Sequence, residues 1–179
     1  MRLRKNLLTA LMAAALCVMA PWAISLLSVP ATLATLGVYL AAGLLGPWRG
    51  TAAVGLYLLI GAVGMPVFAG FSGGIQHLFG LTGGFLWGYL PCAFVAGLLC
   101  RHGKPQMTPL WLAIGTMVLY AIGVAWVVWQ AQVNLATALL ACVTYTLPGE
   151  AIKIMAATGL ILPLKKRVER LTTAGINKQ

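Results

Sequence analysis

The chain has 179 residues, of which 61% are hydrophobic and 8% are charged, and its mean hydropathy is +0.94. These proportions exclude an ordinary soluble domain, and we expect residues 1–179 to form a single integral membrane domain. The net charge of +10 does not indicate nucleic-acid binding, because the basic residues stand at the chain ends and in short hinges rather than in a stripe interleaved with aromatic residues.

Apolar runs between glycine, proline and charged residues predict six membrane-spanning helices, at residues 7–27, 32–45, 50–63, 83–100, 110–129 and 149–164. The first run resembles a secretory signal, but Pro21 follows the candidate cleavage site, so we expect the run to be kept as a helix. Several runs are shorter than the roughly 20 residues that cross a bilayer, which predicts frayed ends or broken helices lining a cavity. Residues 136–147 are either an outer half-helix or the start of a kinked sixth helix.

Apart from Lys153, the basic residues are confined to the chain ends and to alternate connections between these runs. Among them are Arg2, Arg4, Lys5, Arg49, Arg101, Lys104, Lys165, Lys166, Arg167 and Arg170. The connections at 28–31, 65–82 and 130–135 contain no Lys or Arg. Because cytoplasmic connections carry the excess of positive charge, the pattern predicts a compact, all-α bundle of six transmembrane helices. We expect a multi-pass membrane protein with both termini in the cytoplasm.

The chain contains two acidic residues, and one of them, Glu150, stands three residues before Lys153 inside the last apolar run. This spacing places both side chains on one face of a helix. A charged group in the hydrocarbon region costs about 2.5–3.5 kcal/mol on insertion scales, so it generally faces a partner, a cavity or a ligand. The pair is therefore either a structural lock between helices or a polar anchor for a small molecule.

The longest connection assigned to the outside, residues 64–84, is rich in glycine. Glycine permits positive φ and close backbone approach, so this loop can fold back over the bundle and present backbone groups to a ligand. The alternative is a flexible outer hairpin with Phe68, Phe71 and Phe79 as interfacial anchors. The loop lacks the GxxxxGK[ST] pattern, and the four cysteines lack CxxC spacing. We therefore predict no nucleotide site, metal site, disulfide or cofactor.

Five stretches between residues 28 and 153 share an order and a pattern with a known family. They are SVPATL at 28–33, GLLGPWRG at 43–50, GAVGMPVFAG at 61–70, TGGFLWG at 82–88 and LPGEAIK at 147–153. This series resembles the successive motifs of the BioY family, the biotin-binding substrate subunits of energy-coupling-factor transporters. The resemblance implies a compact six-helix subunit of the bacterial cytoplasmic (inner) membrane that captures biotin from outside. It also implies two kinds of partner, a transmembrane coupling protein and two cytoplasmic ATPase subunits.

The chemistry of biotin suggests roles for the residues in these motifs. Biotin joins an acidic tail to a urea-containing bicycle, and so needs a cation, acceptors for N–H groups and apolar walls. We expect Lys153 to pair with an acidic or carbonyl group of the ligand, and Glu150 to accept N–H bonds or to orient Lys153. Phe68 and Phe71 are expected to wall the bicycle. The other predicted ligand-binding residues are Gly73, Gly74, Thr82, Gly83, Gly84, Thr32 and Leu33. We expect the glycines either to let the backbone approach the ligand closely or to control the ligand's access to the site.

Three departures from the family pattern concern the ligand. Ala34 stands where Gln is common, Leu81 where Pro is common, and Glu150 where Asp is common. They leave open a biotin relative or precursor, such as desthiobiotin or lipoate, as the substrate.

Ala10 and Ala14 form a pair of small residues four apart in the first run, which lets another helix approach closely. By the family resemblance this pair docks on the coupling protein; the alternative is packing inside the bundle. His77 and His102 fall on opposite membrane sides by the predicted topology, and we expect each to be solvated or interfacial.

Two other function classes compete with a transporter subunit. A membrane enzyme is disfavoured because the sequence contains no HExxH motif, no Ser/His/Asp set and no clustered carboxylates. An ion-coupled carrier would use Glu150 as its titrating group, but no inverted repeat or chain of relay groups accompanies that residue.

Overall fold

The computed structural model describes residues 2–26, 29–144 and 146–173, with side chains except at 2, 24–31, 141, 144 and 166–173. Ser28 and the basic side chains after residue 165 therefore lie outside the described part. The helices and strands are α1 Arg2–Met19, β1 Ala23–Leu26, β2 Val29–Thr32, α2 Ala34–Ala62, α3 Gln76–Phe79, α4 Gly83–His102, α5 Thr108–Ala131, α6 Leu135–Leu139 and α7 Leu147–Thr173. A 3-10 turn at Pro105–Met107 precedes α5, and a π-helical turn at Leu140–Thr144 follows α6.

The long helix α2 consists of two arms that fold against each other at Gly46. Gly46 has φ 76° and ψ −173°, a conformation that suits glycine, and Pro47 begins the second arm. A straight helix would separate residues 41 and 50 by about 13 Å. A Cβ built on Gly50 would instead lie 2.9 Å from the carbonyl oxygen of Ala41. The second and third predicted runs are therefore the two arms of a helical hairpin.

The predicted helical membrane fold is confirmed in its coarse form. Each predicted run overlaps α1, an arm of α2, α4, α5 or α7, but the first run, predicted to extend to residue 27, is helical only as far as Met19. Within the described residues, three helical segments are long and apolar enough to cross a membrane, Gly83–His102, Pro105–Ala131 and Leu147–Lys165. Residues 136–147 include most of the short helix α6 and the whole π-helical turn, so this piece is a short helical segment before α7.

A short antiparallel hairpin, which the all-α prediction did not include, connects α1 to α2. Ala23 pairs with Thr32, and Leu26 pairs with Val29. Pro21 and Pro30 lack the N–H that a continuous helix needs, which favours extended backbone in this segment. The hairpin places Thr32 at the start of α2, which is the end of that helix where the buried polar side chains described below lie.

Helix α2 is the central element, since it packs against α1, α4 and α7, while α4 also packs against α5. The largest fully buried side chains include Leu16, Tyr39, Tyr57, Leu112 and Ile161. Glycine permits the closest of these helix contacts. A Cβ on Gly97 would lie 2.8 Å from the Gly46 carbonyl carbon and from Pro47 N, so α4 lies directly against the α2 turn.

The glycine-rich segment between α2 and α4 folds back over the bundle. The N–H of Gly74 donates to the carbonyl oxygen of Gly61 at 2.7 Å, which ties the segment to the end of α2. The indole N–H of Trp126 on α5 donates to the carbonyl oxygen of Gly80 at 3.0 Å. The structure therefore agrees with a loop that covers the bundle and not with a free outer hairpin.

Candidate ligand-binding site

A cavity of about 260 Å³ lies beneath this loop, between α2, α4, α5 and α7. Its volume is near the lower limit of small-molecule pockets, which measure about 300–1,000 Å³. Its wall combines aromatic and aliphatic side chains with hydroxyl groups, one imidazole and one carboxylate. The lining residues are Ala20, Thr32, Ala34, Thr35, Tyr57, Phe68, Ala69, Ser72, His77, Thr82, Phe85, Leu86, Tyr89, Leu119, Tyr120, Thr146 and Glu150.

The carboxylate is that of Glu150, which is 5% exposed and lies in the first turn of α7, where the helix dipole favours negative charge. Thr35 Oγ1 donates a hydrogen bond to Glu150 Oε1 at 3.0 Å, and Tyr39 OH donates to Glu150 Oε2 at 2.8 Å. Thr35 and Tyr39 stand four residues apart, on one face of α2. The two hydroxyl groups therefore fix both carboxylate oxygens against α2.

A third helix joins this network through Thr116 on α5. The Tyr39 hydroxyl lies 2.6 Å from Thr116 Oγ1. Each hydroxyl carries a single proton, and the Thr116 hydroxyl also lies 2.9 Å from the carbonyl oxygen of Leu112, so Thr116 donates either to that oxygen or to Tyr39. The resulting chain Thr116–Tyr39–Glu150 connects α5, α2 and α7 through buried groups, which makes the carboxylate part of the packing of the bundle.

The cation of Lys153 stands beside the carboxylate rather than in the cavity wall. Lys153 Nζ lies 2.8 Å from Glu150 Oε1 and donates to Thr35 Oγ1 at 3.1 Å. Its side chain is 12% exposed. An ammonium group has three N–H donors, and two have partners within the described residues, which leaves one for another acceptor.

Further hydroxyl groups line the cavity on the sides of α4, α5 and α7. Tyr120 OH donates to Thr146 Oγ1 at 2.6 Å, and Thr146 Oγ1 donates to the carbonyl oxygen of Cys142. The hydroxyls of Tyr89 and Thr32 are 3.5 Å apart. Because that separation is long for a hydrogen bond, these two groups keep capacity to bind a ligand.

The loop supplies an aromatic wall. Phe68 is 2% exposed and packs edge to face against Tyr57 on α2, with ring centroids 5.7 Å apart, and against His77 at 6.0 Å. A Cβ on Gly61 would lie 2.2 Å from the Phe68 ring. The absence of a side chain at Gly61 is therefore what allows the ring to occupy this position.

The structure brings together part of the predicted ligand-binding set. Glu150, Phe68, Thr32 and Thr82 line the cavity. Lys153 does not line it but donates a hydrogen bond to Glu150. The other predicted residues are not among the lining residues: Leu33, Phe71, Gly73, Gly74, Gly83 and Gly84.

Phe71 lies on the outside of the loop, 61% exposed, with its ring against Trp22 at 5.9 Å. The glycines serve the packing of the loop. A Cβ on Gly73 would lie 2.2 Å from the carbonyl oxygen of Met65, and one on Gly84 would lie 2.2 Å from Cβ of Trp126. Gly73 thus permits close packing within the loop, and Gly84 permits close packing of α4 against α5, although neither residue lines the cavity.

Sequence reasoning missed most of the hydroxyl groups around Glu150. The residues concerned are Thr35, Tyr39, Tyr57, Tyr89, Thr116, Tyr120 and Thr146. A signal existed for one pair, because Thr35 and Tyr39 are polar residues at helical spacing inside an apolar run. His77, expected to be solvated or interfacial, lines the cavity instead. Among the described residues no group of three or more His, Cys, Asp or Glu side chains is arranged to hold a metal ion.

The predicted docking pair lies on the outer face of α1. Ala10 and Ala14 are both exposed, whereas Ala13 is buried against Ala41 and Ala53 of α2. The face that carries Ala10 and Ala14 also exposes Leu7 and Leu11. The first helix thus packs on the bundle with one face and leaves the small-residue face open.

The chain is similar to a set of membrane transport proteins. The BioY family matches residues 1–170. "Biotin transporter BioY" of Thermotoga maritima is 46% identical over 114 residues, 62% of this chain and 66% of that protein. The protein of the same name from Rhodobacter capsulatus is 38% identical over 149 residues, 74% of this chain and 76% of that protein. The one from Rhizobium etli is 36% identical over 170 residues, 88% of this chain and 90% of that protein.

A solved structure has the same fold. The crystal structure of the S-component for biotin from an ECF-type ABC transporter matches with a TM-score of 0.83 and 25% sequence identity, and the match covers 92% of each chain.

Proposed function

The chain belongs to the BioY family, and from that premise we propose that it takes up biotin as the high-affinity, substrate-capturing subunit of an ATP-driven vitamin transporter. Its function is transport and not catalysis. The observation that carries the proposal is the cavity beneath the loop, with Glu150 held in its wall by hydroxyl donors from α2. Such a cavity offers both the polar and the apolar contacts that the two parts of biotin need.

We assign the urea ring of biotin to Glu150. A carboxylate offers about four acceptor sites, and Thr35, Tyr39 and Lys153 use three of them within the described residues. The fourth is available to a urea N–H. The acidic tail of biotin would be repelled by Glu150, so we place it towards the loop, where the side chains of Thr82 and His77 can donate hydrogen bonds.

Lys153 has two roles in this proposal. It neutralises Glu150 through the 2.8 Å ion pair, and its remaining N–H group can donate to the urea carbonyl oxygen. Phe68 forms an apolar wall for the bicycle. We place Phe71, on the outer side of the loop, at the opening through which the ligand reaches the cavity. The loop glycines permit the close packing that allows the loop to cover the cavity.

We further propose the topology of six membrane spans, with both termini in the cytoplasm, in the bacterial inner membrane. The supporting observation is that cations from four separate parts of the chain lie together at the Gly46 end of the bundle: Lys5, Arg49, Arg101 and Lys165. The loop over the ligand cavity lies at the other end of α2 and contains no Lys or Arg. The positive-inside rule then places the ligand cavity towards the exterior.

For the partners, we propose a transmembrane coupling protein and two cytoplasmic ATPase subunits, with α1 as the docking helix. The exposure of Ala10 and Ala14 supports docking, because packing inside the bundle would have buried them. Small residues on an open helix face permit close approach of a partner helix in lipid, where van der Waals contact contributes much of the association energy.

The test is biotin binding to purified, detergent-solubilised protein by isothermal titration calorimetry, with desthiobiotin and lipoate as competitors. Desthiobiotin retains the urea ring and the acidic tail, whereas lipoate retains only the tail. We expect desthiobiotin to compete and lipoate to compete poorly. Equal competition by lipoate would show that the urea ring is not what the cavity recognises. Absence of binding by all three ligands would refute the proposed function.

A further inference from the structure

A second cavity, of about 630 Å³, lies at the opposite end of the bundle. Its floor is the turn of α2, at residues 43–48, and its sides carry Lys5 of α1, Arg49 of α2, Arg101 of α4 and Lys165 of α7. The first arm of α2, between Thr35 and Gly46, separates the two cavities by about 16 Å at 1.5 Å per residue. The second cavity is therefore distinct from the candidate biotin site.

Among the described side chains, no carboxylate balances the charge of this cavity. Four cationic side chains line it, and no carboxylate is among its lining residues. Of the two acidic residues in the chain, Glu150 lies at the other end of the bundle and the side chain of Glu169 is outside the described set. Four like charges that converge from four helices favour an anion between them.

Two of these cations contact other parts of the fold near the turn. Lys165 Nζ donates to the carbonyl oxygen of Cys100 at 3.1 Å, which holds it at the C-terminal end of α4. A Cβ on Gly46 would lie 4.0 Å from Cδ of Arg101, so the Arg101 stem lies over the turn. The hydrogen bond therefore holds Lys165 at the cavity, whereas Arg101 contacts the turn through its stem and is exposed.

Trp48 indicates the level of the cavity relative to the membrane. It lines the cavity, is 74% exposed, and packs edge to face on Phe94 at 5.2 Å. An exposed indole on a membrane protein is typical of the level of the lipid headgroups. Arg and Lys side chains at that level bind phosphate through charge-assisted hydrogen bonds.

We propose that this cavity binds the phosphate group of an anionic membrane lipid from the cytoplasmic leaflet. The inference rests on the proposed topology, which places the Gly46 end in the cytoplasm. The lipid headgroup bridges α1, the α2 turn, α4 and α7, and it neutralises cations that would otherwise repel each other. A soluble phosphate has the same binding chemistry, and the experiment separates the two sources.

The experiment counts lipid bound to delipidated, detergent-solubilised protein by native mass spectrometry during titration with phosphatidylglycerol. The test variant is Arg49→Gln with Arg101→Gln. The matched control is Arg4→Gln with Lys104→Gln, which removes the same charge from exposed positions that do not line the cavity. We expect the test variant to lose about 30-fold in lipid affinity. The control is expected to change it by less than about 3-fold.

Three outcomes would overturn the proposal. Equal losses in the two double variants would show that the attraction is general and not a property of the cavity. Binding of phosphatidylcholine as tight as that of phosphatidylglycerol would remove the role of the anion. Displacement of phosphatidylglycerol by an equal concentration of inorganic phosphate would assign the site to a soluble ligand instead.

Biotin titration of the same samples distinguishes failure of the lipid proposal from failure of the proposed function. Retained biotin affinity shows that the test variant is folded, and loss of lipid binding beside it supports the proposal. If the double variant does not fold, Arg49→Gln alone carries the test, with an expected loss of about 5-fold. Failure of the unmodified protein to bind biotin would refute the proposed function and leave the lipid measurement intact.

Discussion

The ion pair of Glu150 with Lys153 is either a structural lock or part of the ligand site, and a double-mutant cycle separates the two. The variants are Lys153→Met, Glu150→Gln and the two together. Glu150 is 5% exposed, and the pair is 2.8 Å apart. Breaking a buried pair costs about 3–5 kcal/mol, because one charge is left without its partner. Since the Lys153 side chain keeps some exposure, we expect each single variant to lose about 3 kcal/mol of unfolding free energy.

The double variant is expected to behave differently in stability and in binding. With both charges removed, no unpaired charge remains buried, and the loss of unfolding free energy should shrink to about 1–2 kcal/mol. Biotin affinity should not recover, because the charged acceptor for the urea N–H is replaced by a neutral amide oxygen and the donor to the urea carbonyl is removed. A hydrogen bond to a charged group contributes about 1.5–3 kcal/mol, so the affinity should fall by about 10-fold to 150-fold.

Thermal unfolding in detergent measures the stability of the four proteins, and calorimetric titration measures biotin affinity. Lys104→Met is the control, since Lys104 is exposed and lies outside the cavity. Recovery of both stability and affinity in the double variant would show that the pair is a structural lock alone. Unchanged affinity in Lys153→Met would remove Lys153 from the ligand site.

Two further predictions concern the loop and the first helix. Gly61→Ala places a methyl group 2.2 Å from the Phe68 ring. The ring must then move, and we expect the free energy of unfolding, measured by thermal unfolding, to fall by about 1–3 kcal/mol and biotin binding to weaken. Gly159→Ala is the control, because the space around Gly159 is open and the substitution should not destabilise the protein. Equal effects at the two glycines would refute this account of the wall. Ala10→Leu with Ala14→Leu should leave calorimetric biotin binding unchanged and abolish uptake of labelled biotin by cells; normal uptake would argue against docking through α1.

Much of the helical framework was predictable, because it depends on local properties of the chain. The apolar runs match α1, the two arms of α2, α4, α5 and α7. Gly46 followed by Pro47 is a local signal for the reversal inside α2. The distribution of basic residues also indicated that Arg49 and Arg101 would lie at the same end of the bundle, which the cavity at the α2 turn confirms.

The loop was harder to predict because it has no periodic pattern. Phe68 and Phe71 are equivalent in the sequence, but Phe68 is buried in the cavity wall while Phe71 is exposed on the outside. The difference arises from backbone geometry, since Phe71 has a positive φ of 57° and Gly70 and Gly74 also have positive φ. A turn of this kind sets side-chain directions one residue at a time, and neither composition nor spacing reveals them.

The surroundings of Glu150 show how far sequence reasoning extends at a buried charge. A carboxylate removed from water needs hydrogen-bond donors, so the presence of Glu150 in an apolar run already predicts that several donors converge on it. Lys153 was identifiable because it lies on the same helix. Thr35 and Tyr39 precede Glu150 by more than a hundred residues, and they meet it only because α2 packs against α7. The sequence therefore predicts that donors are needed, whereas the packing of the helices determines which residues supply them.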